Sequence, residues 1–191
     1  MRLTPQAVLE VPFALDRAGR HRWHPIAPHA RVEVALLHPR VSWSGTGYLD
    51  TNDGDAPLEE SFASWHWSRA NVGNETAILY DVRPREGAPW CLALHCDAEG
   101  RANRFDAPPP FALPRSRWGV ERFTRAESSD TRVLRTLVDA PFYARSLVAS
   151  RFQGRDATAV HESLSLDRFN APWVRALLPF RMPRRAMKTH G

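Results

Sequence analysis

The feature that most constrains this chain is its punctuation: short runs of period-two alternation recur throughout, each closed by a turn signal. Arg31 to Leu36 is the cleanest, with Val32, Val34 and Leu36 on one face before His38-Pro39 breaks the run. Thr4 to Ala14 alternates loosely, and Val41 to Asp50 alternates around Gly45 and Gly47, ahead of the turn-like Thr51-Asn52-Asp53-Gly54-Asp55. Phe62 to Ala70 and Glu75 to Val82 flank Gly73-Asn74, and Pro89 to Cys96 ends at Asp97-Ala98-Glu99-Gly100. Arg117 to Arg125, Arg132 to Asp139, Tyr143 to Gln153 and Thr158 to Leu166 complete the set. Evenly spaced short strands predict an all-β fold, an antiparallel sandwich or barrel. A short C-terminal helix is expected over Ala171 to Leu178, with Asn170 as N-cap, Pro172 in the first turn and Pro179 as stop. Pro108, Pro109, Pro110 and Pro114 read as a surface loop.

With 191 residues, 43% apolar and 25% charged, the chain suits one folded domain rather than a disordered one. No run approaches the roughly 18 apolar residues that cross a bilayer, and Met1 to Leu15 does not read as a signal peptide. A cytoplasmic protein without an integral anchor is expected. The net charge of +5 comes from scattered arginines, without a nucleic-acid recognition motif. Only Arg181, Arg184, Arg185 and Lys188 concentrate charge, as a tail suited either to an anionic membrane surface or simply to water. Cys91 and Cys96 have opposite parity, so on one strand they point to opposite faces as reduced, structural thiols. Neither they nor His95 supply a zinc-like spacing, and no metal is expected.

Chemistry-bearing residues gather in four segments: His21-Arg22-Trp23-His24-Pro25, Trp43 to Asp50, Pro57-Leu58-Glu59, and Trp65-His66-Trp67-Ser68-Arg69. On strands, His21 and Trp23 share a face, as do Tyr48 and Asp50, and as do Trp65, Trp67 and Arg69. An acid, a phenol, an imidazole and indoles would then converge in one interior, with the glycines at 45 and 47 allowing a bulge or close approach. Each also has a plainer reading. Asp50 could open the turn that follows it, His21 could be a loop histidine, Trp23 and Tyr48 could be core, and Glu59 could start a helix.

The run Gly45-Thr46-Gly47-Tyr48-Leu49-Asp50-Thr51-Asn52, with Pro57-Leu58-Glu59 and Trp65-His66-Trp67-Ser68-Arg69, resembles the carotenoid 1,2-hydratase (hydroxyneurosporene synthase) family. The His21 to Pro25 segment and the stretch from Ser165-Leu166-Asp167-Arg168-Phe169 to Leu177-Leu178-Pro179-Phe180-Arg181 are similar to it as well. The resemblance implies lipocalin-like β-domains, with residues 1–191 as a single such domain matching the family's C-terminal part and the N-terminal half absent. It further implies an acyclic carotenoid substrate (neurosporene, lycopene or a relative), hydration of its terminal 1,2 double bond, and no cofactor. The family's functional residues fall on His21, Trp23, Tyr48 and Asp50.

Alkene hydration sets demands these residues can meet. Asp50 is the candidate acid and must hold a proton near neutral pH, which an apolar site favours. Tyr48 would orient it or place water. The Trp23 indole would face the tertiary cation, worth about 2 kcal/mol when desolvated, with Trp65 or Trp67 as weaker candidates. His21 would take a proton from the attacking water. Trp65, Trp67 and Arg69 would line the substrate groove. The competing reading is a lipocalin-like carrier that holds a hydrophobic ligand unchanged.

Overall fold

The computed structural model describes residues 1–180; the basic cluster of Arg181, Arg184, Arg185 and Lys188 lies outside them. In chain order come β1 (Arg2–Pro5), β2 (Phe13–Ala14), β3 (His21–Leu36) and β4 (Val41–Gly54), then the short helix α1 (Leu58–Ser61). There follow β5 (Phe62–Val72), β6 (Glu75–Pro84), β7 (Trp90–Cys96), β8 (Ala102–Arg104), β9 (Pro110–Leu113) and β10 (Arg122–Arg125). The series ends with β11 (Arg132–Asp139), β12 (Tyr143–Phe152), β13 (Arg155–Ser165), α2 (Leu166–Phe169) and α3 (Pro172–Leu177).

All pairings are antiparallel. One sheet is built on β3, with β1 and β2 along one edge and β4 along the other. The larger sheet runs β11-β12-β13-β5-β6-β7-β8, and β9-β10 form a separate hairpin. The arrangement is a sandwich rather than a closed barrel, because β4 and β11 have no second strand neighbour among the described residues. Between the sheets lies the main core: Leu15 and Trp23 from one side; Phe62, Trp67, Ile78, Tyr80, Val82, Leu92 and Leu94 from the other. The far face of the large sheet carries a second cluster with Ala70, Leu79, Ala93, Phe152 and Ala159. Cys96 sits in the first cluster and Cys91 against the second, so the parity argument holds and both thiols are free.

Several expected boundaries move. The Thr51 to Asp55 run does not turn: β4 continues to Gly54, with His21 opposite Gly54 and Arg22 opposite Asp53. The Arg22 guanidinium bonds the Asp53 carboxylate, so pairing outweighs turn propensity there. The register irregularities of this hairpin fall on β3, at 24–27 and 27–30, rather than at the β4 glycines. Pro25 and Pro28 lie there and have no N–H for the ladder, which accounts for the bulges. Thr4 to Ala14 resolves into two short strands, and Pro110 enters β9. The C-terminal helix starts one residue later than expected, with Ala171 rather than Asn170 as N-cap.

Candidate active site

Alternation on β4 turns Tyr48 and Asp50 to the face that meets β5 and β6, where Trp67 and Tyr80 stand opposite one another in register. Asp50 Oδ2 accepts two hydrogen bonds, from Trp23 Nε1 at 2.8 Å and from the Tyr48 hydroxyl at 3.1 Å. Oδ1 has no hydrogen-bond partner among the described residues. Asp50 is half-buried and mid-strand, so it is not a turn opener. Trp23 is fully buried, packed edge-on against Tyr80 at 5.3 Å and tilted against Phe13 at 5.9 Å. Tyr48 lies 5.3 Å from the Trp67 ring. Burial, and then the charge of Asp50, push the Tyr48 phenol well above its usual range, so its O–H stays available as a donor.

The predicted same-face set on β5 is present. Trp67 contacts Tyr48, Trp65 is half-buried 6.1 Å from Tyr80, and the Arg69 guanidinium sits 5.0 Å over the Tyr48 ring. Arg69 bonds Asn71 Oδ1 at 3.0 Å and has no carboxylate partner within ion-pair distance among the described residues. Burial lowers its pKa, opposed by the charges of Tyr48 and Asp50. The Trp67 indole N–H is buried without an acceptor.

His21 is placed differently from expectation. Its ring is 1% exposed, with Nδ1 2.5 Å from Asp16 Oδ2, Nε2 3.0 Å from the Ala56 carbonyl, and an edge contact to Phe62. Both ring nitrogens lie within hydrogen-bond distance of protein oxygens on either side of the ring. These contacts tie the start of β3 to the segment after β4 through His21. Gly54 makes room for it, since a Cβ there would lie 2.7 Å from His21 Cδ2. The Trp23 ring likewise has no exposed face to offer a cation, because Tyr80, Phe13 and the sheet enclose it; only its N–H reaches the site.

Asp16 and Tyr80 are the members that sequence reading passed over. Asp16 opens the turn before β3, and although partial burial raises its pKa, the His21 and Arg20 bonds bring it below the usual carboxylate range. Tyr80 lies within the expected Glu75 to Val82 strand. Its parity with Ile78 and Val82 was the available signal, a phenol in the stripe that faces the small sheet. Burial, with the charges of Asp50 and Glu162, raises its pKa beyond the usual phenol range. A cleft of about 600 Å³ opens beside Asp16, lined by Arg17, Arg20, Glu60, Arg85 and Trp90 among others. It includes neither Asp50 nor Trp23, so the expected apolar groove is not this cleft.

Residues 1–191 match the family model for the carotenoid hydratase CrtC. The chain belongs to the carotenoid hydratase family. It is 52% identical over 186 residues to the acyclic carotenoid 1,2-hydratase of Thiocapsa roseopersicina, covering 96% of this chain and 46% of that protein. With the enzyme of the same name from Rubrivivax gelatinosus it shares 45% over 188 residues, covering 97% and 46%. The Cereibacter sphaeroides protein of that name is 41% identical over 184 residues, with 96% and 66% covered. The chain thus spans just under half the length of the first two relatives. A solved structure from Nitrosomonas europaea, provisionally named AttH, superposes with a TM-score of 0.52 at 18% identity. It covers 85% of this chain and 60% of that one, and supports the lipocalin-like β-fold. The Gly45 to Asp50 run of β4 carries both Tyr48 and Asp50 of this site.

Proposed function

We propose that this carotenoid hydratase family member adds water to the terminal 1,2 double bond of an acyclic carotenoid by acid catalysis, with Asp50 as the acid. The observation that carries this reading is the asymmetry of the Asp50 carboxyl. Oδ2 receives the Trp23 N–H and the Tyr48 O–H, while Oδ1, without a partner among the described residues, is the oxygen free to meet the substrate. Transfer of that proton to the less substituted alkene carbon uses the π electrons for the new C–H bond and leaves a tertiary cation. Water adds to the cation, then loses a proton, and the carboxyl regains one. Trp65 is half-buried 6.1 Å from Tyr80, and it takes the cation-facing role in place of the fully enclosed Trp23. Trp23 and Tyr48 act by holding Asp50. Arg69, stacked on Tyr48, positions that ring rather than the substrate.

We read residues 1–191 as one lipocalin-like domain of a cytoplasmic enzyme that works peripherally at the inner membrane, where its substrate dissolves. No helix among the described residues is long and apolar enough to cross a membrane. Asp50→Asn, which keeps the shape and both donors' partner oxygen, should leave the fold intact and abolish formation of a 1-hydroxy carotenoid from lycopene. The measurement is product chromatography beside circular dichroism. Hydration at the wild-type rate in that variant would remove Asp50 as the acid; a bound but unchanged pigment with the wild-type chain would leave the carrier reading in its place.

A further inference from the structure

The β3-β4 hairpin outruns the sandwich. Residues 35–46 are exposed on both strands and on both faces. The two faces differ in chemistry. Cross-strand pairs Val34↔Trp43 and Leu36↔Val41 put four apolar side chains on one face. Glu33↔Ser44 and Ala35↔Ser42 put small and polar ones on the other, where Arg31 bonds Glu33 and Ser44. At the tip Leu37 is 78% exposed, and on the apolar face Leu36, Val41 and Trp43 are each bare over about half their surface. Isolated exposed leucines are ordinary; a contiguous one-sided apolar finger with a tryptophan is not. The flanking charges are basic. Arg40 at the turn and Arg2, opposite Glu33 on β1, have no carboxylate partner among the described residues.

We propose that this finger docks the protein on an anionic lipid surface, with Leu36, Leu37, Val41 and Trp43 entering the headgroup region and Arg40 and Arg2 meeting lipid phosphates. Apolar burial with an interfacial indole and adjacent arginines is the combination that holds a peripheral element in a bilayer interface. The finger is continuous with the site. Trp43 and Asp50 lie on the same strand, seven residues and about 23 Å apart at 3.3 Å per residue. Docking would therefore hold Asp50 within reach of a rod-like substrate whose far end stays in the lipid. This last consequence rests on the hydratase reading; the docking itself does not.

The test is co-sedimentation of the 191-residue chain with vesicles of phosphatidylcholine, with and without phosphatidylglycerol. The wild-type chain should bind the anionic vesicles more tightly. Leu37→Glu combined with Trp43→Ser, both on exposed positions, should lower the partition coefficient about tenfold or more, and Arg40→Glu should remove the preference for anionic lipid. Circular dichroism should stay unchanged in all three. Hydration of detergent-dispersed substrate should persist in the double variant while hydration of vesicle-embedded substrate falls. Equal vesicle binding by wild type and double variant, or none by either, overturns the proposal. So does a wild-type dimer that ignores vesicles and becomes monomeric in the double variant, which would make the finger a contact between copies. Vesicle binding that follows the predicted order in a chain without hydratase activity upholds docking and rejects only the catalytic reading.

Discussion

Asp50 depends on two donors that can be removed separately, and the loss of each has a different physical content. Trp23→Phe deletes the N–H but keeps a ring in the core, so stability should change by no more than about 1.5 kcal/mol while hydration slows. Trp23→Ala removes a fully buried indole and should cost about 3–5 kcal/mol, unfolding much of the population. Urea midpoints measured beside product formation separate the two effects; equal activity in Trp23→Phe and wild type would show that the N–H does not hold the acid. Gly54→Ala tests His21. The added methyl would meet its ring at 2.7 Å, and a cost of about 1–3 kcal/mol is expected in denaturant titration. At this scale parity was legible in sequence: Tyr48 with Asp50, and Trp65 with Trp67 and Arg69, do share faces. The commitment of both His21 nitrogens was not, because Asp16 and the Ala56 carbonyl reach it from either side through packing.

Strands β5 and β13 carry a buried polar chain on the face turned away from Asp50, under the β9-β10 hairpin. His161 Nδ1 meets Ser68 Oγ at 2.7 Å and Nε2 meets Ser163 Oγ at 3.1 Å; His66 Nδ1 meets the same Ser163 Oγ at 2.9 Å. Ser68 also bonds Thr124 of β10 at 3.1 Å. Burial without a carboxylate lowers His66 to about 4 and His161, beside His66 and Arg122, to about 3. Folded-state pKa values below the free value near 6.5 mean that the unfolded chain binds more protons in acid. Stability should thus be fully present above about pH 6.5 and fall as pH drops through 6.5 toward 4 and then 3, by at most about 1.4 kcal/mol per pH unit for each ring. Urea unfolding at several pH values checks this, and a His161→Gln variant should flatten part of the slope. The alternation of β5 placed His66 and Ser68 opposite Trp65 and Trp67, but not what would cover them. The Pro108 to Pro114 stretch read as loop becomes half of that cover once β9 pairs with β10.

For the whole molecule, one ion pair ties the cover to the large sheet. Arg125 of β10 donates Nε to Asp81 Oδ1 of β6 at 2.8 Å, and its Nη2 lies 2.7 Å from the same oxygen. Asp81 is 5% exposed, and burial raises its pKa even against the arginine. Arg125→Met should strand that carboxyl and cost about 3–5 kcal/mol at pH 7 in thermal or urea unfolding, with part of the loss relieved in acid as Asp81 takes a proton. The antiparallel class, the face assignments within each strand and the Gly45 to Asp50 resemblance follow from residue order alone, because a pleated chain alternates its side chains and turn residues act locally. Which strands meet across the sandwich was decided only in three dimensions. The same holds for the donors that hold Asp50, for the Asp16 and Ala56 partners of His21, and for the hairpin left bare beyond the sheet. Those outcomes depend on packing between residues far apart in the chain, which short-range periodicity does not encode.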